Sequence, residues 1–252
     1  MFLEKGNAMC IDQNDAIKFQ TRLMLGGTRY DMVKKANNKN DVIIVCLRCG
    51  WNDAFRHVSR NQENLDKSSV EQCILKEILG SDEFLNFFTE YAKADTTESK
   101  VDIINNNFES IKDLISKVKN VDDKDYPLSF GHIQKIFNIA IKLYFCLYAL
   151  KEGIGIDEAH FCKEILHDKQ DCPIDSIILG KLDKKINDEG SEEIKKLRDE
   201  CPNKKFAGLV WSGLGRHDSE DPKYNIENYK KAQKAMRELG YKNALRFDFD
   251  NW

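Results

Sequence analysis

The strongest structural signal in the chain lies in residues 128–150, which read LSFGHIQKIFNIAIKLYFCLYAL. The segment is apolar almost all round at helical spacing, which is typical of a helix in the centre of a core. Lys135, Asn138 and Lys142 are spaced by three and four residues, so they share one face of that helix. Such a stripe either reaches solvent along the edge of a core helix or lines a cleft. Both interpretations stay open at this point.

Apolar residues recur at helical spacing along nearly the whole chain, and the alternation typical of strands is almost absent. We therefore expect an all-α fold, an orthogonal helical bundle that forms a single unit over residues 1–252. Two lobes, 1–120 and 127–252, with a cleft between them are a further possibility. The predicted helices cover about 12–25, 42–59, 68–80, 101–118, 129–150, 157–167, 173–186 and 224–239.

Charge and composition exclude several classes of protein. The 252 residues include 39 Lys+Arg and 42 Asp+Glu, a formal charge of -3, which argues against broad attraction to nucleic acid or anionic membranes. The longest apolar runs fall short of the roughly 20 residues of a bilayer span, so no membrane contact is expected. No secretory signal is visible, which predicts a cytoplasmic protein whose eight cysteines are reduced thiols.

A second informative segment, DCPIDSIILGKL, occupies residues 171–182. Pro173 suits the first position of a helix, which would make Cys172 the N-cap and place Asp175 in the first turn. The helix dipole and the free backbone amides there favour an ionised carboxylate. An ordinary acidic residue at a helix start has the same pattern, so the pairing with a lysine matters more than Asp175 alone.

These two segments together resemble a known family. A lysine that opens a helix, Lys135, followed by a Pro-x-Asp helix start at Asp175, is similar to the catalytic layout of helix-hairpin-helix DNA glycosylases, especially the archaeal 8-oxoguanine DNA glycosylase branch. The resemblance covers about residues 130–182, a fifth of the chain. It implies cleavage of the N-glycosidic bond of a damaged or modified base in double-stranded DNA, with or without lyase activity.

The resemblance also implies roles for individual residues. Lys135 would be the nucleophile and Asp175 its ionised partner. The substrate contacts would be Gln134, Asn138, Lys142 and Trp211, and a glycine hairpin at Gly153 and Gly155 would offer amides to a DNA phosphate.

A second alignment to the same family is possible. Gly155 precedes Asp175 by the spacing usual between hairpin and aspartate in the superfamily, and the lysine position then falls on Asp157. In that alignment no lyase lysine exists, and Asp175 alone would act, as in a monofunctional glycosylase or a noncatalytic relative.

The implied chemistry is consistent with these residue types. Breaking an N-glycosidic bond builds positive charge on the sugar, which a carboxylate stabilises, while a neutral amine captures the anomeric carbon as a Schiff base. The target nucleotide would be flipped out of the duplex and stacked on an aromatic side chain. The candidates for that stacking are Trp51, Trp211, Phe137 and Trp252.

No cofactor and no metal site is predicted. Cys46 and Cys49 form a CxxC pair without the second pair that a structural zinc site needs, and the Cys/His group at 160–172 does not share one helical face. The main alternative function is a noncatalytic helical interaction protein of a mobile genetic element or a bacterial defence system. A helical ribonuclease or nucleotide-processing enzyme is a third class, for which no recognisable motif is present.

Overall fold

The computed structural model describes residues 26–55, 77–116, 128–216 and 220–250. They contain helices and short 3₁₀ turns but no strand, which confirms the predicted all-α class. The helices are α1 (Gly27–Lys34), α2 (Lys39–Ala54), α3 (Asp82–Lys93), α4 (Thr97–Asn106), α5 (Phe108–Ser116), α6 (Phe130–Ile154), α7 (Ser176–Glu189), α8 (Glu192–Asp199), α9 (Glu227–Glu238) and α10 (Leu245–Asp250).

Helix α6 is the central helix that residues 128–150 predict. Ser129 caps its start, because the Ser129 side chain accepts a hydrogen bond from the His132 amide. Helix α2 crosses α6 at very short range. A Cβ atom on Gly50 of α2 would lie 2.2 Å from the carbonyl oxygen of Ile136 on α6. Only glycine therefore permits this crossing, which places the end of α2 beside the first turns of α6.

Aromatic packing fixes α3 against the same helix. The rings of Phe84, Phe88 and Tyr91 lie around the ring of Phe137, with centroids 5.2 to 5.8 Å apart. All four side chains are fully buried. Each such ring contributes about 1.5–3 kcal/mol through burial, with a smaller gain from the tilted and edge-on geometry.

A buried hydrogen-bond network connects these helices to the C-terminal part of the chain. Asn138 of α6 accepts a hydrogen bond from the Tyr91 hydroxyl and donates one to the Tyr229 hydroxyl on α9. Tyr229 in turn donates to the carboxylate of Asp171, which also binds Arg237. Burial raises the pKa of both tyrosines, so their hydroxyls stay protonated and can donate. Every buried group of this chain of contacts has a partner, as stability requires.

Two of the predicted helices differ from the structure. The single helix predicted over 101–118 ends at Asn106 and restarts at Phe108, because Asn107 turns the chain and its side-chain amide donates to the Ile103 carbonyl. The helix predicted over 157–167 is replaced by two 3₁₀ turns, Glu158–His160 and Lys163–Ile165. The helix predicted over 12–25 and most of that over 68–80 lie outside the described residues. The division into lobes stays a prediction.

Helix α6 alone, among the helices of the described ranges, is long and apolar enough to cross a membrane. Of its most apolar window, 61% is buried against the rest of the protein. The core helix of a soluble protein meets the same criteria of length and composition, so the expected lack of membrane contact stays a prediction.

The contact between α2 and α6 generates a stability prediction. We expect Gly50→Ala to lower the free energy of unfolding by about 1–2 kcal/mol, because overpacking costs more than the gain from removing a helical glycine. Gly180→Ala on α7 is the matched control, since a Cβ atom there meets nothing within 4 Å. The control should gain about 0.5–1 kcal/mol. Urea unfolding of the two variants measures both values. Equal changes in the free energy of unfolding for Gly50→Ala and Gly180→Ala would contradict the close crossing.

Candidate functional site

The site is built around the ammonium group of Lys135. This side chain is only 8% exposed, and its Nζ lies 2.8 Å from Oδ2 of Asp53 and 3.8 Å from Oδ2 of Asp175. The same Nζ stands 4.3 Å from the centroid of the Trp211 ring. We call Lys135, Asp53, Asp175 and Trp211 the Lys135 site. The four residues come from α6, the end of α2, the start of α7 and a 3₁₀ turn at Trp211–Gly213.

Asp175 is held in one orientation by the helix that it precedes. Its Oδ1 accepts hydrogen bonds from the amides of Ile177 and Ile178, both at 2.9 Å, while its Oδ2 is the atom nearer to Lys135. Asp175 is thus the N-cap of α7, which corrects the prediction of Cys172 as N-cap and Pro173 as first helical residue. A carboxylate binds free N-terminal amides better than a thiol does, so the helix starts later than predicted.

The extended segment before Asp175 is bound by side-chain amides. Gln134 donates to the Ile174 carbonyl at 3.2 Å and accepts from the Ile174 amide at 3.3 Å. Gln233 of α9 donates to the Cys172 carbonyl at 2.7 Å and accepts from the Cys172 amide at 2.9 Å. Both glutamines are fully buried. Because their hydrogen bonds fix the backbone that leads to Asp175, they position this carboxylate.

Gln134 and Asn138 were both predicted to contact the substrate, and the structure places them elsewhere. Both side chains have no exposed surface. The Gln134 amide group binds backbone groups and Asn138, and Asn138 binds the buried network of Tyr91 and Tyr229. Their hydrogen-bonding groups are bonded within the protein. The two side chains therefore stabilise the elements around the Lys135 site and do not line it.

Trp211 is placed at the site by a close backbone contact with the start of α6. A Cβ atom on Gly131 would lie 1.7 Å from the Trp211 carbonyl oxygen, and the Gly131 amide donates to the Leu214 carbonyl. The Ser129 hydroxyl donates to the Ser212 carbonyl at 2.7 Å. These contacts bind the turn to α6 and hold the partly exposed indole ring beside Lys135.

His132 packs against the Trp211 ring. Its imidazole stacks on the Phe55 ring at 5.4 Å and meets the Trp211 ring edge-on at 5.7 Å. Burial, with a smaller effect of the Lys135 ammonium, lowers the pKa of His132 to about 4. The imidazole is therefore neutral near pH 7, and it adds no second positive charge next to Lys135.

Lys142 does not reach the Lys135 site. It lies seven residues further along α6, which is about 10 Å along the helix axis. There its Nζ pairs with the buried carboxylate of Asp248 at 2.7 Å and lies near the Phe249 ring. The neighbouring charges of Lys135 are therefore carboxylates, and the predicted contact of Lys142 with a substrate at that site has no geometric support.

The glycine pair at the end of α6 forms a helix cap. Gly153 belongs to the last turn of the helix, and Gly155 adopts the left-handed conformation with φ 75°. The amides of Gly155 and Ile156 donate to the carbonyls of Glu152 and Lys151. Because these amides are already bonded, the predicted phosphate-binding hairpin is replaced by this C-cap.

Two of the four aromatic candidates for base stacking are excluded by burial. Trp51 is 2% exposed and Phe137 fully buried, so both belong to the core. Trp252 lies outside the described residues. Trp211 is the candidate that remains at the Lys135 site.

Sequence reasoning missed Asp53 and His132. Asp53 ends an apolar helix, and nothing local in the sequence connects it with a lysine on another helix. His132 lies three residues before Lys135 on α6, but its pattern does not distinguish a core histidine from a site residue. The tertiary packing of α2 and of the Trp211 turn on α6 brings both to the site.

Across the part of the chain that the structure describes, no group of three or more His, Cys, Asp or Glu side chains is arranged to hold a metal ion. Comparisons with models of protein families, with curated proteins and with solved structures find no match for this chain. The geometry of the Lys135 site therefore supplies the argument about function.

The buried imidazole generates a prediction for acid stability. Between about pH 6.5 and pH 4 the unfolded chain binds a proton at His132 while the folded protein does not, so the folded state loses stability as the pH falls through this range. We expect a loss of about 2–3 kcal/mol at pH 4.5 that His132→Phe removes. Urea unfolding at pH 7 and pH 4.5 measures it. The same acid-induced loss in both proteins would contradict the assignment.

Proposed function

We propose that this protein is a DNA glycosylase-like enzyme with lyase activity, in which Lys135 attacks the sugar of a damaged or modified nucleotide in double-stranded DNA. The observation that supports it is the 3.8 Å separation between the Lys135 ammonium and the Asp175 carboxylate. The two residues lie 40 positions apart in the sequence and belong to different helices. Of the two possible alignments, this geometry favours the one in which Lys135 is the nucleophile.

The reaction needs a proton acceptor for Lys135, and Asp53 is the nearest one at 2.8 Å. The ammonium gives a proton to Asp53, and the free amine forms a bond to the anomeric carbon of the sugar. The carbon–nitrogen bond to the base breaks, its electron pair leaves with the base, and the base takes up the proton from Asp53. A second proton passes from the bound nitrogen to the ring oxygen as the sugar ring opens, which leaves a Schiff base.

Asp175 has a different task from Asp53. Its Oδ1 is fixed by two backbone amides, so the carboxylate stays in place while its Oδ2 lies near the reacting amine. A fixed negative charge stabilises the positive charge that develops on the sugar as the base departs. The N-terminus of α7 also interacts favourably with a negative charge at this position.

Trp211 provides the surface for the base. Its ring is partly exposed and lies against the Lys135 amine, so a base stacked on it would bring its sugar close to the nucleophile. Flipping a base out of a duplex costs a few kcal/mol, and stacking on an aromatic ring recovers part of that cost.

The second candidate is the noncatalytic interaction protein of a mobile element or defence system. The close Lys135–Asp53 pair favours it, because a buried ion pair also serves to fix the packing of two helices. In that case the three charged groups would be structural, and neither chemistry nor DNA binding would follow from them. A covalent product with DNA distinguishes the two functions.

The proposal predicts a borohydride-trapped complex. Incubation of the protein with duplex DNA that carries an abasic site or 8-oxoguanine should give a covalent adduct, because borohydride reduces the Schiff base. Lys135→Ala should abolish the adduct, and Asp175→Asn should slow its formation by about 10²–10³-fold. Lys151→Ala, a change on the last turn of the same helix, is the control and should trap normally. The lyase role would be refuted if the wild-type protein trapped neither DNA, or if Lys135→Ala still formed the adduct.

The different roles of the two carboxylates predict different pH profiles. Asp53→Asn removes the proton acceptor, so trapping should slow by about 10²-fold near pH 7 and recover as hydroxide takes over at higher pH. Asp175→Asn removes a charge that is needed at every pH, so its rate should not recover. The measurement is the trapping rate of each variant from pH 6.5 to 9.5. Parallel profiles would show that Asp53 does not accept the proton.

A further inference from the structure

Exposed apolar side chains adjoin the Lys135 site. In the described ranges three large apolar side chains are exposed, and two of them are Ile177 at 65% and Val210 at 39%. The Ile177 amide donates to Oδ1 of Asp175, and Val210 directly precedes Trp211. Exposed apolar surface surrounded by polar residues is typical of an interaction site. The edge of the Lys135 site therefore offers apolar surface to a partner.

Helix α7 extends this exposed surface away from the site. Gly180 and Lys184 follow Ile177 by three and seven residues, so the three residues share one face of the helix. A Cβ atom on Gly180 would meet no atom of the described chain within 4 Å, so this face is uncovered there. Lys184 is exposed and lies about 10.5 Å from Ile177 along the helix axis. Asp188, one turn further on, ends the basic part of the face.

A second segment brings two more lysines beside α7. The Asp183 carboxylate of α7 accepts hydrogen bonds from two successive backbone amides that begin at Phe206, at 3.0 and 2.8 Å. Lys205 directly precedes Phe206, Lys204 precedes Lys205, and both lysines are exposed. The same segment continues to Trp211. The hydrogen bonds to Asp183 thus hold the two lysines next to α7.

The turn that carries these lysines has an unusual backbone. Asn203 and Lys204 have φ of 58° and 54°, and they are the non-glycine residues of the described ranges with positive φ. L side chains rarely adopt this region, and residues that do so are concentrated at ligand-binding segments. The backbone therefore supports a binding role for this turn.

The lysines of this surface have no acidic partner. Across the described ranges Lys184, Lys204 and Lys205 make no ion pair with a carboxylate. On α9, by contrast, three lysines each pair with a glutamate. These are Lys230, Lys231 and Lys234. An ammonium group without a carboxylate partner attracts an anionic partner more strongly than a paired one does.

We propose that Ile177, Lys184, Lys204 and Lys205 form the surface that holds duplex DNA beside the nucleotide that reacts at Lys135. We call these four residues the duplex surface. This inference rests on the proposed function. DNA fits because unpaired ammonium groups match its phosphates, while an apolar side chain next to the site matches its sugars and base edges. Since the formal charge of the whole chain is -3, DNA binding needs a local surface of this kind.

The salt dependence of duplex binding tests the lysines. For the wild-type protein and an undamaged duplex, the logarithm of the binding constant falls linearly with the logarithm of salt concentration. The double variant Lys184→Gln/Lys205→Gln should make this slope shallower by about two, since each lost phosphate contact removes about one. Lys234→Gln on α9 is the control and should keep the wild-type slope, because Lys234 is 62% exposed and paired with Glu238. All three lysines lie outside the core, so the Tm of each variant should match that of the wild type.

Ile177→Ser separates the apolar contact from the charges. We expect about tenfold weaker duplex binding at every salt concentration, because the variant loses apolar surface that DNA would bury. The salt slope should stay unchanged, since no charge is removed. Wild-type affinity in Ile177→Ser would overturn the apolar part of the duplex surface.

The combined results distinguish a failure of this surface from a failure of the proposed function. Equal salt slopes in the double variant and in Lys234→Gln would overturn the duplex surface, and a borohydride-trapped adduct of the wild-type protein would then leave the proposed function intact. The expected slopes without any adduct would support the surface and refute the lyase role. Equal competition by a poly-glutamate peptide would show a surface for acidic proteins and overturn the assignment to DNA. No binding of the wild-type protein to duplex DNA would overturn both proposals.

Discussion

The positive charge of Lys135 on the largely buried helix α6 has to be compensated, and this requirement organises the site. An uncompensated charge in a protein interior costs several kcal/mol, so α6 can carry this lysine only if carboxylates come to it. Asp53 arrives from the end of α2 and Asp175 from the start of α7, while Trp211 covers the amine. Three separate parts of the chain therefore converge on one atom.

Convergence of this kind needs backbone contacts as well as charge. Glycine at positions 50 and 131 allows α2 and the Trp211 turn to approach α6 more closely than any other residue would permit. Buried glutamines then bind the extended backbone that leads to Asp175. The polar groups inside the core thus have a common effect, which is to hold Asp175 and Trp211 in fixed positions around Lys135. Rigid placement of this kind is what a catalytic site requires.

The sequence predicts the fold class and the central helix, because apolar periodicity over residues 128–150 is a local signal. It also selects Lys135, Asp175 and Trp211, which the structure brings together. Asp53 has no local signal, since its partner is defined by how two helices cross. Gln134 and Asn138 were misassigned to the substrate for a related reason. A periodic pattern places an amide on a helix face but does not tell whether that face meets solvent or the backbone of another segment.

An amine between two carboxylates is compatible with a structural ion pair and with a nucleophile, and the identity of the bonded atom separates these two cases. The most direct measurement is peptide mapping by mass spectrometry of the protein after reaction with abasic-site DNA, reduction and digestion. If Lys135 is the nucleophile, the sugar remnant is found on the peptide that carries Lys135 and on no other lysine. A remnant on a different residue, or an unmodified Lys135 peptide throughout, would contradict the assignment of this amine to catalysis.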